Sequence, residues 1–241
     1  MQIVYLSSDE NKNEIHSHFK EEAEAKQKMG LMVGTVPDAN AKKLLYRGFS
    51  MLSKKDYPAD IRFLNNYETY INYFYLSRYY PCISDLTIET FFVDDLNDEL
   101  LKLIKEKGWE KVFIKKEITA LEHIHEGKSV WPDTTLHEMK DLFSKCEIKG
   151  AKYGVRKYID PEILKDELRY WVLNGRIYRR DNIIPDIVKE AAERLNIMGS
   201  KYYTIDATPE LIVEVNPGES SDRHAENSPE IFASWFKKEF A

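Results

Sequence analysis

A chain of 241 residues, 43% of them hydrophobic, is long enough to bury a sizeable core and to form an enzyme. Its 35 Lys and Arg against 41 Asp and Glu give a net charge of -6, which disfavours general nucleic-acid binding, although local basic clusters can hold phosphates. Its 2 cysteines exclude a disulfide framework, and the lack of a signal-like start or of an apolar run of about 18 residues predicts a cytoplasmic protein without a membrane partner.

The beginning of the chain has the pattern of a parallel α/β unit. Ile3 to Leu6 is a compact apolar run that predicts a buried strand, and Ser7-Ser8-Asp9 is typical of the N-cap of a following helix. Asn13 to Lys28 is charged and helix-forming, and Gly30 marks its end. Lys43 to Tyr46 predicts the next strand.

A tyrosine-rich segment, Asn65 to Tyr80, admits two interpretations. Its aromatic side chains could form a platform on which nucleic-acid bases stack. Their spacing of three and four residues is instead typical of one buried helix face, which favours the core interpretation. Pro81 is expected to end this helix.

The middle of the chain predicts alternating strands and helices. These are a strand at Glu89 to Val93, a helix at Asn97 to Lys107 with Leu100, Leu101, Leu103 and Ile104 inward, a strand at Lys111 to Lys115 and a helix at Thr134 to Lys145.

Two motifs lie between this last strand and this last helix. His123-x-His125 has the form of a metal pair, but exposed loop histidines explain it better. Gly127-Lys128-Ser129 resembles the end of a phosphate-binding loop, but Glu122 stands where such a loop needs glycine.

The last third of the chain predicts a strand-rich unit with two helices. The segments are strands at Gly154 to Ile159, Glu167 to Leu173 and Arg176 to Arg179, and helices at Pro185 to Asn196 and Pro229 to Phe240. Asn174-Gly175 is the strongest hairpin turn in the sequence.

A second hairpin carries the most informative side chains. Tyr202 to Ile205 and Leu211 to Val215 are β-branched or aromatic runs joined by a turn. Glu214 and Asn216 share one face because side chains alternate along a strand, and Asp206 lies across the hairpin from them. These oxygen ligands suit a hard cation and predict a magnesium site. The alternative is an ordinary hairpin whose polar side chains face water.

The order of these segments resembles the ATP-grasp superfamily over residues 86 to 220. The most specific part is Glu214-Val-Asn216-Pro-Gly218 after a strand that bears an aspartate. In detail the chain is similar to the subgroup marked by two arginines and a lysine, through Val-Phe-Ile-Lys115, Val155-Arg156-Lys-Tyr-Ile and Glu167-Leu-Arg169-Tyr-Trp-Val. Tyr46-Arg47-Gly48 and Thr87-Ile-Glu-Thr-Phe-Phe are also similar to that subgroup.

The resemblance implies an α+β protein with the ATP-grasp fold. It divides the chain into an N-terminal α/β pre-grasp domain at residues 1–85, a central subdomain at 86–150 and a C-terminal subdomain at 151–241 that carries the metal site. The two later subdomains are expected to clasp the nucleotide.

The resemblance also implies roles for single residues in binding ATP. Lys115 would contact the phosphates, and Glu167 would bind the ribose hydroxyls. The backbone of Lys157, Tyr158 and Ile159 would read adenine.

Further residues are implied to take part in the reaction. Arg156 and Arg169 would face the phosphates or an acyl-phosphate intermediate, while Asp206, Glu214 and Asn216 would hold Mg²⁺. Many members of the family have an arginine where this chain has Thr204, and Arg169 is the candidate to replace it. Arg47, at a strand end of the N-terminal domain, is a candidate for binding a substrate carboxylate.

Structural roles are the alternatives for the charged residues. Arg156 could pair with Glu167 or Asp160, and Arg169 could pair with Glu167. Lys115 and Lys116 could be solvated charges at a strand end. The joint order of these residues favours the functional interpretation.

The implied activity is an ATP-dependent carboxylate–amine or carboxylate–thiol ligase that forms an acyl phosphate and releases ADP. Its substrates would be a small-molecule or peptide carboxylate and an amine. A phosphotransferase and a non-catalytic nucleotide-binding protein remain alternatives. A metal-dependent hydrolase is less favoured, because it would leave the ordered lysine and arginines unexplained.

Overall fold

The structure is a computed structural model that describes residues 1–6, 14–38, 40–48, 52–117, 129–144 and 151–241. Its described part is a mixture of helices and three β-sheets, as expected for an α+β protein. No helix in this part is long and apolar enough to cross a membrane. The predicted N-cap at Ser7 to Asp9, the histidine pair at 123 and 125, and Gly127-Lys128 lie outside the described residues.

The N-terminal sheet is parallel, with strand order β2-β1-β3. Its strands are β1 (Gln2–Tyr5), β2 (Met32–Gly34) and β3 (Leu44–Arg47). Helix α1 (Lys20–Lys28) begins later than predicted, because a 3-10 turn at Ser17–Phe19 precedes it. Gly30 ends this helix segment with a φ of 83°, a conformation that favours glycine.

The tyrosine-rich segment forms two helices, α2 (Tyr67–Phe74) and α3 (Leu76–Ile83), divided at the extended residue Tyr75. Tyr70, Tyr73, Phe74 and Tyr79 are buried, which agrees with the core interpretation. The expectation that Pro81 ends the helix is wrong, since α3 continues to Ile83. The burial of Tyr79 and Ile83 in the core outweighs the local cost of proline.

The central sheet is antiparallel, with strand order β4-β7-β5-β6. Its strands are β4 (Thr90–Val93), β5 (Val112–Lys116), β6 (Val130–Trp131) and β7 (Tyr153–Lys157). Helices α4 (Asp98–Glu106) and α5 (Leu136–Ser144) share one core with it. Leu103 does not face this core as predicted but is 41% exposed, because Leu100 and Ile104 define the inward face of α4.

Strand β7 is placed by the predicted division in the C-terminal subdomain, but it is hydrogen-bonded between β4 and β5. A short helix, α6 (Pro161–Leu164), then leads to the third sheet. The chain therefore passes from one antiparallel sheet to the next between Lys157 and Leu168.

The third sheet is antiparallel, with strand order β11-β10-β8-β9. Its strands are β8 (Leu168–Leu173), β9 (Arg176–Tyr178), β10 (Tyr202–Ala207) and β11 (Ile212–Pro217). Both predicted hairpins are present. Asn174 and Gly175 have φ values of 49° and 82°, as a tight turn between twisted strands requires.

Helices cover both faces of the third sheet. On one face, α3 and α7 (Asp186–Asn196) enclose a core that includes Tyr170, Tyr203 and Val215. On the other face, α8 (Pro229–Phe240), α1 and the N-terminal sheet enclose Trp171 and Tyr202, whose rings stack with centroids 5.5 Å apart. The third sheet is thus the element against which the N-terminal sheet packs.

Candidate active site

Three charged side chains form a row across the third sheet. Asp206 in β10 is directly opposite Arg169 in β8 and Glu214 in β11. Residues opposite each other in an antiparallel sheet point to the same face, so all three converge. Asn216 joins them because it lies two residues after Glu214. The hairpin geometry predicted for Asp206, Glu214 and Asn216 is present.

Hydrogen bonds hold this row together. The Arg169 guanidinium donates to both carboxylate oxygens of Asp206, from Nε at 2.7 Å and from Nη2 at 2.6 Å. The Asn216 amide donates to Asp206 Oδ2 at 3.3 Å and to Glu214 Oε2 at 3.1 Å. The predicted alternative pairing of Arg169 with Glu167 is therefore not what the structure shows.

Lys115 reaches the row from the central sheet. It lies near the end of β5, and its Nζ is 2.5 Å from Glu214 Oε1. The two sheets are joined beside this contact, since Ile212 N donates to Leu86 O at 2.9 Å and Thr87 Oγ1 donates to Ile212 O at 2.7 Å. Lys115 and Glu214 thus meet at the junction of two sheets, 99 residues apart in the sequence.

The cluster is shielded from water. The exposed fractions are 4% for Asp206, 9% for Asn216 and 3% for Lys115, so the interpretation as a water-facing hairpin is wrong. Burial disfavours the charged form of Glu214, but the Lys115 ammonium outweighs it and lowers the pKa of Glu214. Burial likewise opposes the charge of Arg169, but Asp206 raises the pKa of Arg169. The opposite charges hold one another ionised in a buried site.

Arg156 extends the cationic side of this cluster. It lies in β7, is buried, and donates from Nη2 to the Val213 carbonyl at 2.8 Å, with Thr87 Oγ1 at 3.4 Å. Its Nε is buried without a hydrogen-bond partner among the described residues. The predicted structural partners Glu167 and Asp160 are not its partners. A buried donor without an acceptor is costly, and a bound anion would satisfy it.

The residues expected to bind adenosine lie between the two antiparallel sheets. Lys157 ends β7, and Tyr158 and Ile159 follow it before α6. The Lys157 and Tyr158 amides donate to the carbonyls of Glu89 and Lys111, at 2.9 and 3.3 Å. Glu167 is exposed at the start of β8. This placement does not itself test the adenine and ribose roles, which stay predictions.

Arg47 is fully buried, and its hydrogen bonds go to residues outside the row of Arg169, Asp206 and Glu214. Its Nε and Nη2 donate to the two Glu22 carboxylate oxygens at 3.0 and 2.8 Å. Its Nη1 donates to the carbonyls of Gly218 and Ser221. All three of its nitrogens therefore have internal acceptors, and binding of a substrate carboxylate stays a prediction.

Sequence reasoning did not find an acid–histidine pair beside the row. His18 Nε2 is 2.8 Å from Asp222 Oδ1, and the Asp222 carbonyl accepts from Arg169 Nη1 at 3.1 Å. Burial would raise the pKa of the Asp222 carboxyl, but His18 lowers it. No local pattern could reveal this pair, because 204 residues separate its members.

The predicted metal ligands are oxygen donors on two strands of the third sheet. Among the described residues, no group of three or more His, Cys, Asp or Glu side chains is arranged to hold a metal ion. The predicted set relies instead on two carboxylates and the Asn216 amide. Oxygen donors of this kind suit Mg²⁺, which keeps several water ligands and needs few from the protein. The residues therefore fit the ion.

An open cleft of about 380 Å³ lies elsewhere on the molecule. Lys43, Arg62, Asn174 and Lys201 contribute to its lining, and none of the predicted site residues does. It lies at the starts of β1 and β3, whereas ligands of open α/β sheets bind at the carboxyl ends of the strands. The charged cluster is therefore the candidate active site.

Comparison with solved structures identifies the fold. The D-cycloserine synthetase DcsG matches with a TM-score of 0.67 at 10% identity, over 98% of both chains. A Chryseobacterium gregarium RiPP-associated ATP-grasp ligase, in complex with ADP and a leader and core peptide, matches with a TM-score of 0.59 at 14% identity, over 100% of this chain and 97% of that one. The ATP-grasp ligase PsnB, complexed with a minimal precursor, Mg and ADP, matches with a TM-score of 0.56 at 10% identity, over 99% and 97%.

These likenesses cover nearly the whole chain and show that it has the ATP-grasp fold, as the sequence resemblance implied. No protein-family model and no curated protein matches the sequence.

Proposed function

We propose that this chain is an ATP-dependent ligase that joins a carboxylate to an amine or thiol through an acyl phosphate and releases ADP. The observation that carries the proposal is the buried contact of Lys115 with Glu214 at the junction of the two antiparallel sheets. In an ATP-grasp fold the nucleotide is expected between the two antiparallel sheets, and the position of this contact at their junction supports the proposal. We assign the chain to the subgroup with two arginines and a lysine.

The cations of the cluster fit the chemistry of phosphoryl transfer. The negative charge on a transferred phosphoryl group must be neutralised by preorganised cations, because the protein supplies little covalent help. Lys115, Arg156 and Arg169 would supply this charge. Arg156 Nε is a buried donor that lacks an acceptor among the described residues, which supports an anion beside it.

Asp206, Glu214 and Asn216 would hold Mg²⁺. When bound, the ion would neutralise charge on the ATP phosphates. In the structure, Arg169 and Lys115 neutralise the same two carboxylates, which keeps the pair of acids stable in a buried site. The site therefore has compensated charges before any ligand enters.

The adenosine end of ATP would lie between the two antiparallel sheets. The backbone of Lys157, Tyr158 and Ile159 would contact adenine, and Glu167 would accept from the ribose hydroxyls. Support comes from their position at the crossing between sheets and from the exposure of Glu167. The proposed division into residues 1–85, 86–150 and 151–241 places this crossing near the start of the C-terminal subdomain.

The carboxylate substrate is proposed to be an amino acid or a peptide. Support comes from the similar structures, one of which is a D-cycloserine synthetase and two of which are ligases, one complexed with a minimal precursor and one with a leader and core peptide. Arg47 remains the proposed contact for the carboxylate. The internal acceptors of its guanidinium require that a substrate displace at least one of them.

Product analysis tests this function. The protein would be incubated with Mg-ATP and a pool of amino acids and short peptides, with and without hydroxylamine. Hydroxylamine attacks acyl phosphates, so we expect ADP, phosphate and a hydroxamate of the accepted carboxylate. Lys116→Met serves as a control beside Lys115→Met, because Lys116 is the next residue in β5 and contacts the Ala151 carbonyl instead of the cluster.

The contrary outcomes are distinct. Release of AMP and pyrophosphate would show an adenylate and refute the acyl phosphate. Transfer of phosphate to a stable product without hydroxamate would show a phosphotransferase. Loss of activity in Lys116→Met equal to that in Lys115→Met would refute the assignment of Lys115.

A further inference from the structure

Each carboxylate oxygen of the proposed metal ligands accepts a hydrogen bond from a neighbouring side chain. Asp206 Oδ1 and Oδ2 accept from Arg169 Nε and Nη2 at 2.7 and 2.6 Å. Glu214 Oε1 accepts from Lys115 Nζ at 2.5 Å, and Glu214 Oε2 accepts from the Asn216 amide at 3.1 Å. A cation at these oxygens would therefore lie beside an ammonium and a guanidinium, both of which repel it.

The Asn216 amide faces the two carboxylates with its nitrogen. Its Nδ2 lies 3.3 Å from Asp206 Oδ2 and 3.1 Å from Glu214 Oε2. An ionised carboxylate only accepts hydrogen bonds, so the NH₂ group and not the oxygen must lie between the two acids. Mg²⁺ takes oxygen ligands. The amide must therefore rotate before Asn216 can serve as a ligand.

The charges of this arrangement balance inside the protein. Lys115 and Asp206 are buried, and the side chains of Arg169 and Glu214 are only 13% and 14% exposed. Two cations thus compensate two carboxylates where water screens them weakly. A divalent cation that arrived alone would add uncompensated positive charge to this set. Phosphates that arrived with it would supply the missing negative charge.

We propose that Lys115 closes the metal site against a free divalent cation and that the ion is admitted only together with the nucleotide phosphates. This inference rests on the proposed function. Phosphate oxygens would accept from the Lys115 ammonium in place of Glu214, which leaves a Glu214 oxygen for the ion. Lys115 is then a specificity-determining residue as well as a phosphate contact. It couples the binding of metal and nucleotide, and such coupling is reciprocal.

Titration of Mn²⁺ without nucleotide tests this role. Mn²⁺ takes the same oxygen ligands as Mg²⁺, and electron paramagnetic resonance measures the fraction that stays in solution. Without the Lys115 ammonium, the Glu214 carboxylate is open to a cation. We expect Lys115→Met to bind Mn²⁺ about 10-fold or more tightly than wild type, the effect of one charge-assisted contact. The same variant should bind Mg-ATP more weakly, and a merely structural lysine would not produce these opposite changes.

Three further variants provide the controls, with circular dichroism to verify that each is folded. Lys116→Met removes the same charge from the next residue, whose ammonium contacts the Ala151 carbonyl, so it should bind Mn²⁺ like wild type. The double variant Lys115→Met/Glu214→Gln should lose the gained affinity, which would locate the ion at Glu214. Lys115→Gln keeps a hydrogen-bond donor without the charge, and it should show the gain even if Lys115→Met does not fold.

Each other result would overturn the inference. Wild-type protein that binds Mn²⁺ without nucleotide as tightly as Lys115→Met has no closed site. An equal gain in Lys116→Met would show a general effect of charge, and a gain that persists in the double variant would place the ion away from Glu214. These outcomes leave the ligase activity intact. Wild-type protein that does not bind Mg-ATP would refute the proposed function, and this inference with it.

Discussion

Glu219 is a buried carboxyl next to the end of β11. Its Oε1 accepts from the Asn65 amide at 2.8 Å, while its Oε2 has no hydrogen-bond partner among the described residues. Burial raises the pKa of Glu219 from 4.5 to about 7, and the Asn65 hydrogen bond opposes that shift only partly. At neutral pH a large share of this side chain is therefore protonated.

The shift predicts that stability falls as pH rises. Between pH 4.5 and about 7 the folded state binds more protons at Glu219 than the unfolded state, so the free energy of unfolding decreases across this window. The full effect is about 3 kcal/mol, from the free energy of each pKa unit. Urea unfolding at pH 5 and pH 8 should show a steeper loss in wild type than in Glu219→Gln.

A surface variant controls this measurement. Glu230→Gln in the exposed first turn of α8 should keep the wild-type dependence on pH. Equal pH dependence in wild type and Glu219→Gln would show that Glu219 does not titrate in this range.

At the scale of elements, the β10–β11 hairpin shows which features of the fold can be predicted from local sequence. Its apolar runs and its alternation gave the strands and the shared face of Glu214 and Asn216, because these are local properties. Contacts between distant segments have no local signal, so the bonds of Arg169 to Asp206 and of Lys115 to Glu214 could not be predicted as pairs. Strands β2 and β6 were missed because runs of three and two residues are too short for periodicity.

Gly218 follows the same hairpin, and the structure shows why this position needs a glycine, which the sequence did not reveal. Pro217-Gly218 predicts a strand end, and β11 does end at Pro217. The need for glycine comes from packing, since a Cβ at position 218 would lie 2.6 Å from Tyr202 Cγ. The Tyr202 ring is fully buried and stacked on Trp171, so it has no room to move.

Gly218→Ala is therefore expected to destabilise the protein by about 1–3 kcal/mol, the usual cost of overpacking. Gly154→Ala is the matched variant, because the one tight contact of its Cβ would be the end of the Leu76 side chain, at 3.1 Å, with Phe92 and Thr90 at ordinary van der Waals distances of 3.7 and 3.8 Å. Urea unfolding should give a smaller loss for Gly154→Ala. A Gly218→Ala protein as stable as wild type would contradict the close packing of β11 on Tyr202.

At the scale of the whole molecule, a buried ionic cluster joins the N-terminal sheet to the third sheet. Glu22 in α1 accepts from Arg47 in β3 and from Lys26 at 2.6 Å. Arg47 also donates to the Gly218 and Ser221 carbonyls beyond β11. Burial alone would raise the pKa of Glu22, but Arg47 and Lys26 lower it. The carboxylate is therefore charged inside the core.

Removal of one partner from this cluster is expected to cause a large loss of stability. Arg47→Met leaves Glu22 with one cation fewer and two carbonyls without their donor, so we expect a loss of about 3–5 kcal/mol in the free energy of unfolding. Arg62→Met, outside this cluster, should cost far less. If Arg47→Met has the same free energy of unfolding as wild type but binds the substrate carboxylate more weakly, Arg47 serves substrate binding and not the stability of the fold.

The central claim is that the charged cluster at the sheet junction binds the phosphates of Mg-ATP. Calorimetric titration of Mg-ATP into wild type, Lys115→Met and Lys116→Met tests it most directly, with circular dichroism to verify that each variant is folded. Loss of one charge-assisted phosphate contact costs about 1.5–3 kcal/mol, so Lys115→Met should bind roughly 10- to 150-fold more weakly. Lys116→Met should bind like wild type. Equal Mg-ATP affinity in folded Lys115→Met and wild type would contradict the claim.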